Sequence, residues 1–173
     1  MRKLFRILRY VDMISEWSGR LVSYLVIGMF LVLIYEIILR YVFQSPTVWA
    51  HETAQMMYGV HGLMAGAVAL LYGTHVRMDA FYSRWSERTK AKVDSATALL
   101  MLSFLSLFLW EAGKAGVHSF IIQEISRTAW GPPIWIYKLF FPIAVLLVLL
   151  QAIADLIRNF TFAITGVRHK NDT

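Results

Sequence analysis

The chain has 173 residues, of which 58% are hydrophobic and only 16% charged, whereas soluble domains average about 45–50% apolar and about 25% charged. The apolar residues form four long runs, which is typical of a membrane protein and excludes a single large soluble core. The absence of cysteine excludes disulfides, iron–sulfur clusters and thiolate metal sites. The net charge of +6 does not indicate nucleic acid binding, because the basic residues lie at the borders of the apolar runs, where they meet lipid headgroups.

The first 20 residues mix basic and apolar side chains. The apolar ones recur at helical spacing: Leu4, Leu8, Val11 and Ile14. No short apolar run is followed by a small-residue cleavage site, so a cleaved signal peptide is not expected. We predict a basic amphipathic helix over residues 1–20 that lies in the membrane interface, rather than a solvated tail.

Four membrane spans follow from the apolar runs. They cover about residues 21–40, 51–72, 95–113 and 134–157. A run of about 20 residues rises about 1.5 Å per residue and so crosses the hydrocarbon layer of about 30 Å. The sequence therefore predicts an all-α membrane protein, with one four-helix domain over residues 1–173.

The distribution of lysine and arginine predicts the orientation. These residues are concentrated before the first span, between the second and third spans, and after the fourth. The opposite side of the membrane has only Arg40, Lys114 and Arg127, with Lys138 inside the start of the fourth span. The positive-inside rule then places both termini in the cytoplasm, with an even number of spans.

Ionisable residues inside a span are costly and require a partner. Glu36 precedes Arg40 by four residues, the better order for a helical ion pair, and we predict such a pair near the outer end of the first span. The alternative is that one of them reaches a partner subunit. Asp155 and Arg158, spaced i, i+3, predict a simple surface pair at the inner end of the fourth span.

The second span carries polar and small residues. Glu52 lies in its first turn, at the positive end of the helix dipole. The zinc motif HExxH fails because Gln55 takes its final position. His61 is predicted to form an interhelical hydrogen bond, and Gly62 and Gly66 have the small-xxx-small spacing that allows helices to pack closely.

No nucleophile–base arrangement, phosphate loop or pair of inward carboxylates is found in the sequence. We therefore predict that the chain is not an enzyme and that it holds no cofactor and no metal.

Several short motifs occur in a fixed order along the chain. They are Glu36 with Arg40-Tyr41-Val42-Phe43, then Pro46 with Trp49-Ala50-His51-Glu52, then Gly73 to Asp79, and last Trp135, Lys138, Pro142, Gln151 and Asp155. In this order, with four spans, the chain resembles the small membrane subunit of tripartite ATP-independent periplasmic (TRAP) transporters. One difference is that many relatives have Glu-Glu after the tryptophan, where this chain has His51 before Glu52.

The resemblance implies a supporting role in uptake. In this family a large membrane subunit carries the substrate and sodium sites and moves by an elevator mechanism, and a periplasmic binding protein delivers an organic acid. The small subunit enlarges the static part of the complex, and its outer segments 41–50 and 114–130 are where the binding protein is expected to touch. The resemblance, with the cost of burying polar groups, gives the candidate interface or structural residues: Glu36, Arg40, Trp49, Glu52, His61, Arg77 and Asp79.

Two other functions are compatible with a small four-span bundle. A haem-carrying anchor of a redox complex needs two histidines from facing helices at equal depth, and His51 and His118 are predicted near the same face. A stand-alone channel is the third possibility, but the spans lack a polar stripe wide enough to line a pore without oligomerisation. The transporter subunit is the function that the sequence favours.

Overall fold

The computed structural model describes residues 2–72 and 85–165. They form four helices, which are α1 (Arg2–Tyr41), α2 (Ala50–Leu71), α3 (Glu87–Ile121) and α4 (Ile134–Thr165). Each helix is long and apolar enough to cross a membrane. The predicted all-α membrane fold with four spans is confirmed, and in the described part of the chain the only extended pairing is an isolated bridge between Ile125 and Pro133.

Helix α1 is longer than predicted. It runs without interruption for 40 residues, which corresponds to about 60 Å. No proline occurs in this stretch and Gly19 is tolerated inside it, so nothing in the sequence ends the helix near residue 20. The boundary predicted at residues 20 and 21 is therefore not a helix end, and the interfacial position of residues 1–20 stays a prediction.

The buried face of the first half of α1 also differs from the predicted apolar face. Leu8 is buried, but Ile14 is 51% exposed, and the other buried positions within residues 6–21 are polar. They are Asp12, Ser15 and Ser18. The reason is that this part of α1 packs against a polar segment of α4, described below.

Helix α4 is the centre of the bundle. It packs against α1, α2 and α3, while α1 and α2 also pack on each other and α3 packs mainly on α4. The core contains Leu70 of α2, Leu105 of α3, and Val145 and Ala152 of α4. Helices α2 and α3 therefore flank α4 and leave a cleft between them.

Close helix contacts occur at glycines other than those predicted. A Cβ on Gly19 would lie 2.2 Å from Val68 Cγ2, and one on Gly59 would lie 1.9 Å from the Tyr137 hydroxyl. Gly66 makes an ordinary contact, since its Cβ would lie 3.7 Å from Val148. Gly62 has no heavy atom of the described chain within 4 Å of that position, so its packing against another helix stays a prediction. The small-xxx-small pattern signals a surface that permits close approach without specifying which helix approaches.

Two connections lie at the same end of the bundle, residues 42–49 between α1 and α2 and residues 122–133 between α3 and α4. Hydrogen bonds from the second connection to the first turn of α2 show this directly. We call the end of the bundle that carries these two connections the paired-loop end. The start of α1 and the end of α4 meet at the opposite end.

Candidate functional site

Glu36 joins helix α1 to the connection that follows it. Its carboxylate is buried and accepts hydrogen bonds from Arg40 Nε at 2.9 Å and from the Thr47 backbone N–H at 3.0 Å. The terminal guanidinium nitrogen of Arg40 and the Thr47 hydroxyl also bind it. The predicted Glu36–Arg40 pair is thus present, and Thr47 extends it to the chain that leads into α2. These bonds join residues on both sides of the turn at Gln44, which has a positive φ of 51°.

Trp49 stands immediately before helix α2. Its ring centroid lies 5.9 Å from that of Tyr35 in α1, with the ring planes inclined by 33°. The next residue, Ala50, is completely buried. Aromatic contact and burial thus fix where α2 begins relative to α1.

Glu52 connects α2 to the loop between α3 and α4. Its two carboxylate oxygens accept hydrogen bonds from the Ser126 hydroxyl at 2.5 Å and the Thr128 hydroxyl at 2.6 Å. Thr128 Oγ1 in turn accepts from the Gly131 backbone N–H at 3.3 Å. The sequence indicated only helix-terminus chemistry for Glu52. The partners lie 74 and 76 residues away, and no local pattern marks them.

An ion pair fixes the same loop to α4. Lys138 Nζ lies 2.6 Å from Glu124 Oε2, and this hydrogen bond holds the pKa of the Glu124 carboxyl below its ordinary value. The Trp135 backbone N–H donates to the Glu124 carbonyl at 3.3 Å. The loop is therefore bound at Glu124 to α4 and at Ser126 and Thr128 to α2.

His61 lies in the middle of α2. Its Nδ1 is 3.1 Å from the carbonyl oxygen of Val22 in α1. Since a carbonyl only accepts, Nδ1 carries the proton in this contact. The predicted interhelical hydrogen bond is present.

A buried polar seam joins α1 and α4 at the opposite end of the bundle. Arg158 donates to Asp12 Oδ2 at 2.5 Å, and Gln151 Nε2 donates to Asp12 Oδ1 at 3.1 Å. Ser15 donates to Gln151 Oε1 at 2.9 Å, and both side chains are fully buried. The predicted Asp155–Arg158 pair exists at 3.3 Å. This pair forms only the outer part of the seam. The sequence did not indicate the rest of the seam.

The remaining predicted residues lie elsewhere. Arg77 and Asp79 are outside the described residues. His51 and His118 are both exposed, and His51 Nε2 lies 3.1 Å from Gln55 Nε2. Within residues 2–72 and 85–165, no three His, Asp or Glu side chains are grouped to hold a metal ion.

The cleft between α2 and α3 lies at the paired-loop end and has a volume of about 610 Å³. We call it the α2–α3 cleft. Its apolar lining comes mainly from Met56, Phe108, Ile134, Tyr137 and Phe141, and its polar lining from Glu52, Gln55, Glu111 and Lys138. All four polar side chains have partners within the described chain: Glu52 with Ser126, Gln55 with His51, Glu111 with Lys114, and Lys138 with Glu124. Two of these pairs, those of Glu52 and Lys138, bind a helix to the loop between α3 and α4, and the other two lie within a single helix.

Comparison with known sequences identifies the kind of protein that uses this arrangement. Residues 29–162, from within α1 to near the end of α4, match the family described as the DctQ component of tripartite ATP-independent periplasmic transporters. The chain belongs to this family. The predicted resemblance is confirmed, and the DctQ component is a part of a transporter and not a known class of enzyme. The haem-anchor alternative has no support from this comparison.

A curated relative gives a second comparison. The chain is 28% identical over 102 residues to the sialic acid TRAP transporter permease protein SiaT of Haemophilus influenzae (strain 86-028NP). The aligned part covers 59% of this chain but only 16% of that relative. The relative is therefore a much longer polypeptide, and most of its length lies outside the region that aligns with this chain.

Proposed function

We propose that this DctQ component is the small scaffold subunit of a secondary-active, ion-coupled TRAP transporter. In this proposal it supports a large membrane subunit that imports an organic acid delivered by a periplasmic binding protein. The observation that carries the proposal is the family match over residues 29–162, which includes the end of α1, all of α2 and α3, and most of α4. The relative's name as a sialic acid permease supports an organic acid as the class of substrate.

The contacts within the bundle support a static role. Glu36, Glu52 and Glu124 each bind a residue of a connecting loop or of another element, and Asp12 binds α4. Such bonds restrict the movement of the helices and loops relative to one another. A rigid bundle suits a subunit against which a moving subunit slides.

We further propose that both termini are cytoplasmic and that the paired-loop end faces the periplasm, as the positive-inside rule indicates. Segments 41–50 and 114–130 would then be accessible to the binding protein. Arg77 and Asp79 remain candidate assembly residues on the cytoplasmic side, together with the internally bonded Glu36, Arg40, Trp49, Glu52 and His61. If these positions support assembly, alanine replacements will loosen the complex.

Purification of the tagged chain from its native host in mild detergent tests this function. We expect a large polytopic membrane protein to co-elute in stoichiometric amount from a colourless preparation, because a scaffold subunit is bound permanently to its partner. Mass spectrometry of the eluate and a visible absorption spectrum are the measurements. Co-elution with flavin or iron–sulfur subunits and a haem absorbance band would contradict the proposal and would favour His51 and His118 as haem ligands.

A further inference from the structure

One face of α2 differs from the exposed surface of α4. Between Ala50 and Leu71 the exposed residues are His51, Gln55, Tyr58 and Gly62, and none of them is aliphatic. Their spacing of four, three and four residues places them on one side of the helix. We call these four residues the α2 stripe.

The exposed surface of α4 provides the contrast. Where burial is described, its exposed positions are all large apolar residues, as expected for contact with lipid tails: Ile136, Phe140, Ile143, Leu146, Leu150, Ile153, Phe160 and Ile164. Helix α2 is also the least apolar of the four spans. The α2 stripe therefore lacks the apolar composition that the exposed surface of α4 has.

The depth of the stripe makes this composition significant. Tyr58 lies about 12 Å and Gly62 about 18 Å along the axis from Ala50, so both fall within the hydrocarbon layer if α2 crosses the bilayer. The Tyr58 side chain is 69% exposed, and the Gln55 amide has hydrogen-bonding capacity beyond its contact with His51. Polar side chains within the hydrocarbon layer are stabilised by a protein partner and not by lipid tails.

The open space beside Gly62 indicates the shape of the partner. No described atom lies within 4 Å of the position of a Gly62 Cβ, so another backbone has room to approach there. Within the hydrocarbon layer, backbone that faces lipid must be helical. The stripe also continues into the α2–α3 cleft, because Gln55 lines both, and the cleft has room for side chains of a packed helix.

We propose that the α2 stripe is the docking surface for a membrane-spanning helix of the large transporter subunit. This inference rests on the proposed function. The relative supports this choice of partner, because the part that aligns with this chain is only 16% of one continuous permease. The remainder of such a permease is attached to its matching region and has to pack beside it in the same membrane.

Site-specific photo-crosslinking in membranes that contain the whole transporter tests the docking surface. A benzoyl-phenylalanine at Tyr58 is compared with the same group at Phe30 of α1 and Phe104 of α3, which are 62% and 65% exposed. We expect the adduct with the large subunit to be at least tenfold more abundant from position 58 than from either control. Equal yields, or an adduct from position 58 that contains only lipid or a second copy of this chain, would overturn the inference.

A pair of glycine substitutions provides an independent measurement. Gly62→Leu places a large side chain in open space, and Gly113→Leu in α3 does the same, because neither glycine has a described neighbour within 4 Å. We expect Gly62→Leu to lower the amount of co-purified large subunit at least tenfold and Gly113→Leu to leave it unchanged. Unchanged co-purification with Gly62→Leu would overturn the docking surface.

These outcomes are distinct from failure of the proposed function. If the unmodified chain brings down no large membrane subunit, the transporter assignment itself is contradicted. If the unmodified chain does co-purify with a large membrane subunit, but the Tyr58 and Gly62 results are negative, only the location of the interface is wrong. Should Gly62→Leu prevent accumulation of the chain, the crosslinking comparison decides, since it replaces one exposed aromatic ring with another.

Discussion

Arg158→Met is expected to destabilise the bundle by about 3–5 kcal/mol, because removing one partner of a buried ion pair leaves the other charge with too little compensation. Arg158 and Asp12 are mostly buried, with side chains 21% and 10% exposed. Asp12 also accepts a hydrogen bond from Gln151, which moderates the loss. Thermal unfolding of the purified chain in detergent, followed by circular dichroism, measures the effect as a lowered Tm.

Two further variants make this prediction specific. Adding Asp12→Asn to Arg158→Met removes both charges, so we expect part of the lost stability to return. Arg20→Gln removes a cation that also pairs with a carboxylate, Glu16, but the Arg20 side chain is 76% exposed. Exposed pairs contribute about 0–1 kcal/mol, so its Tm should stay close to that of the unmodified chain. Equal losses from Arg20→Gln and Arg158→Met would contradict the importance of the seam.

Glu52→Ala is expected to release the loop between α3 and α4 at the paired-loop end. The change removes both hydrogen bonds from the loop to α2, and bonds to a charged group contribute about 1.5–3 kcal/mol each. Arg127 lies between the two anchored residues, Ser126 and Thr128, so tryptic cleavage after Arg127 reports opening of the loop. Because about 1.4 kcal/mol corresponds to a tenfold change in population, cleavage there should accelerate at least tenfold.

The matched control for this experiment is Glu111→Ala. Glu111 also lies at the paired-loop end, and its exposed pair with Lys114 lies within α3, so its removal leaves the loop anchored. Cleavage after Arg127, followed by mass spectrometry of the released peptides, should be unchanged in this variant. A similar acceleration in both variants, or none in Glu52→Ala, would show that Glu52 does not hold the loop.

The sequence predicted best what depends on local spacing. Four long apolar runs specify four helices, since the length needed to cross a bilayer is fixed. The Glu36–Arg40 pair was predictable because residues four apart on a helix are neighbours. The residue that completes it, Thr47, lies beyond the end of α1, where helical periodicity gives no information.

The contacts between distant elements were not predictable in the same way. Asp12 and Arg158 are 146 residues apart, and Glu52 and Ser126 are 74 apart. A single sequence shows that each is polar in an unusual place, but not which helices are neighbours. The small-xxx-small pattern has the same limitation, because several other glycines, Gly19 and Gly59 among them, meet other helices closely, while Gly62 meets none in the described chain. The open position of Gly62 becomes informative only once the arrangement of the bundle is known.

The measurement that tests the central claim most directly is uptake into proteoliposomes. Vesicles containing the co-purified large subunit with this chain, the periplasmic binding protein and a radiolabelled organic acid are assayed with and without an inward sodium gradient. We expect gradient-driven accumulation that is lost when this chain is omitted. Undiminished uptake by the large subunit alone, at equal incorporation into the vesicles, would contradict its role as a required scaffold of the transporter.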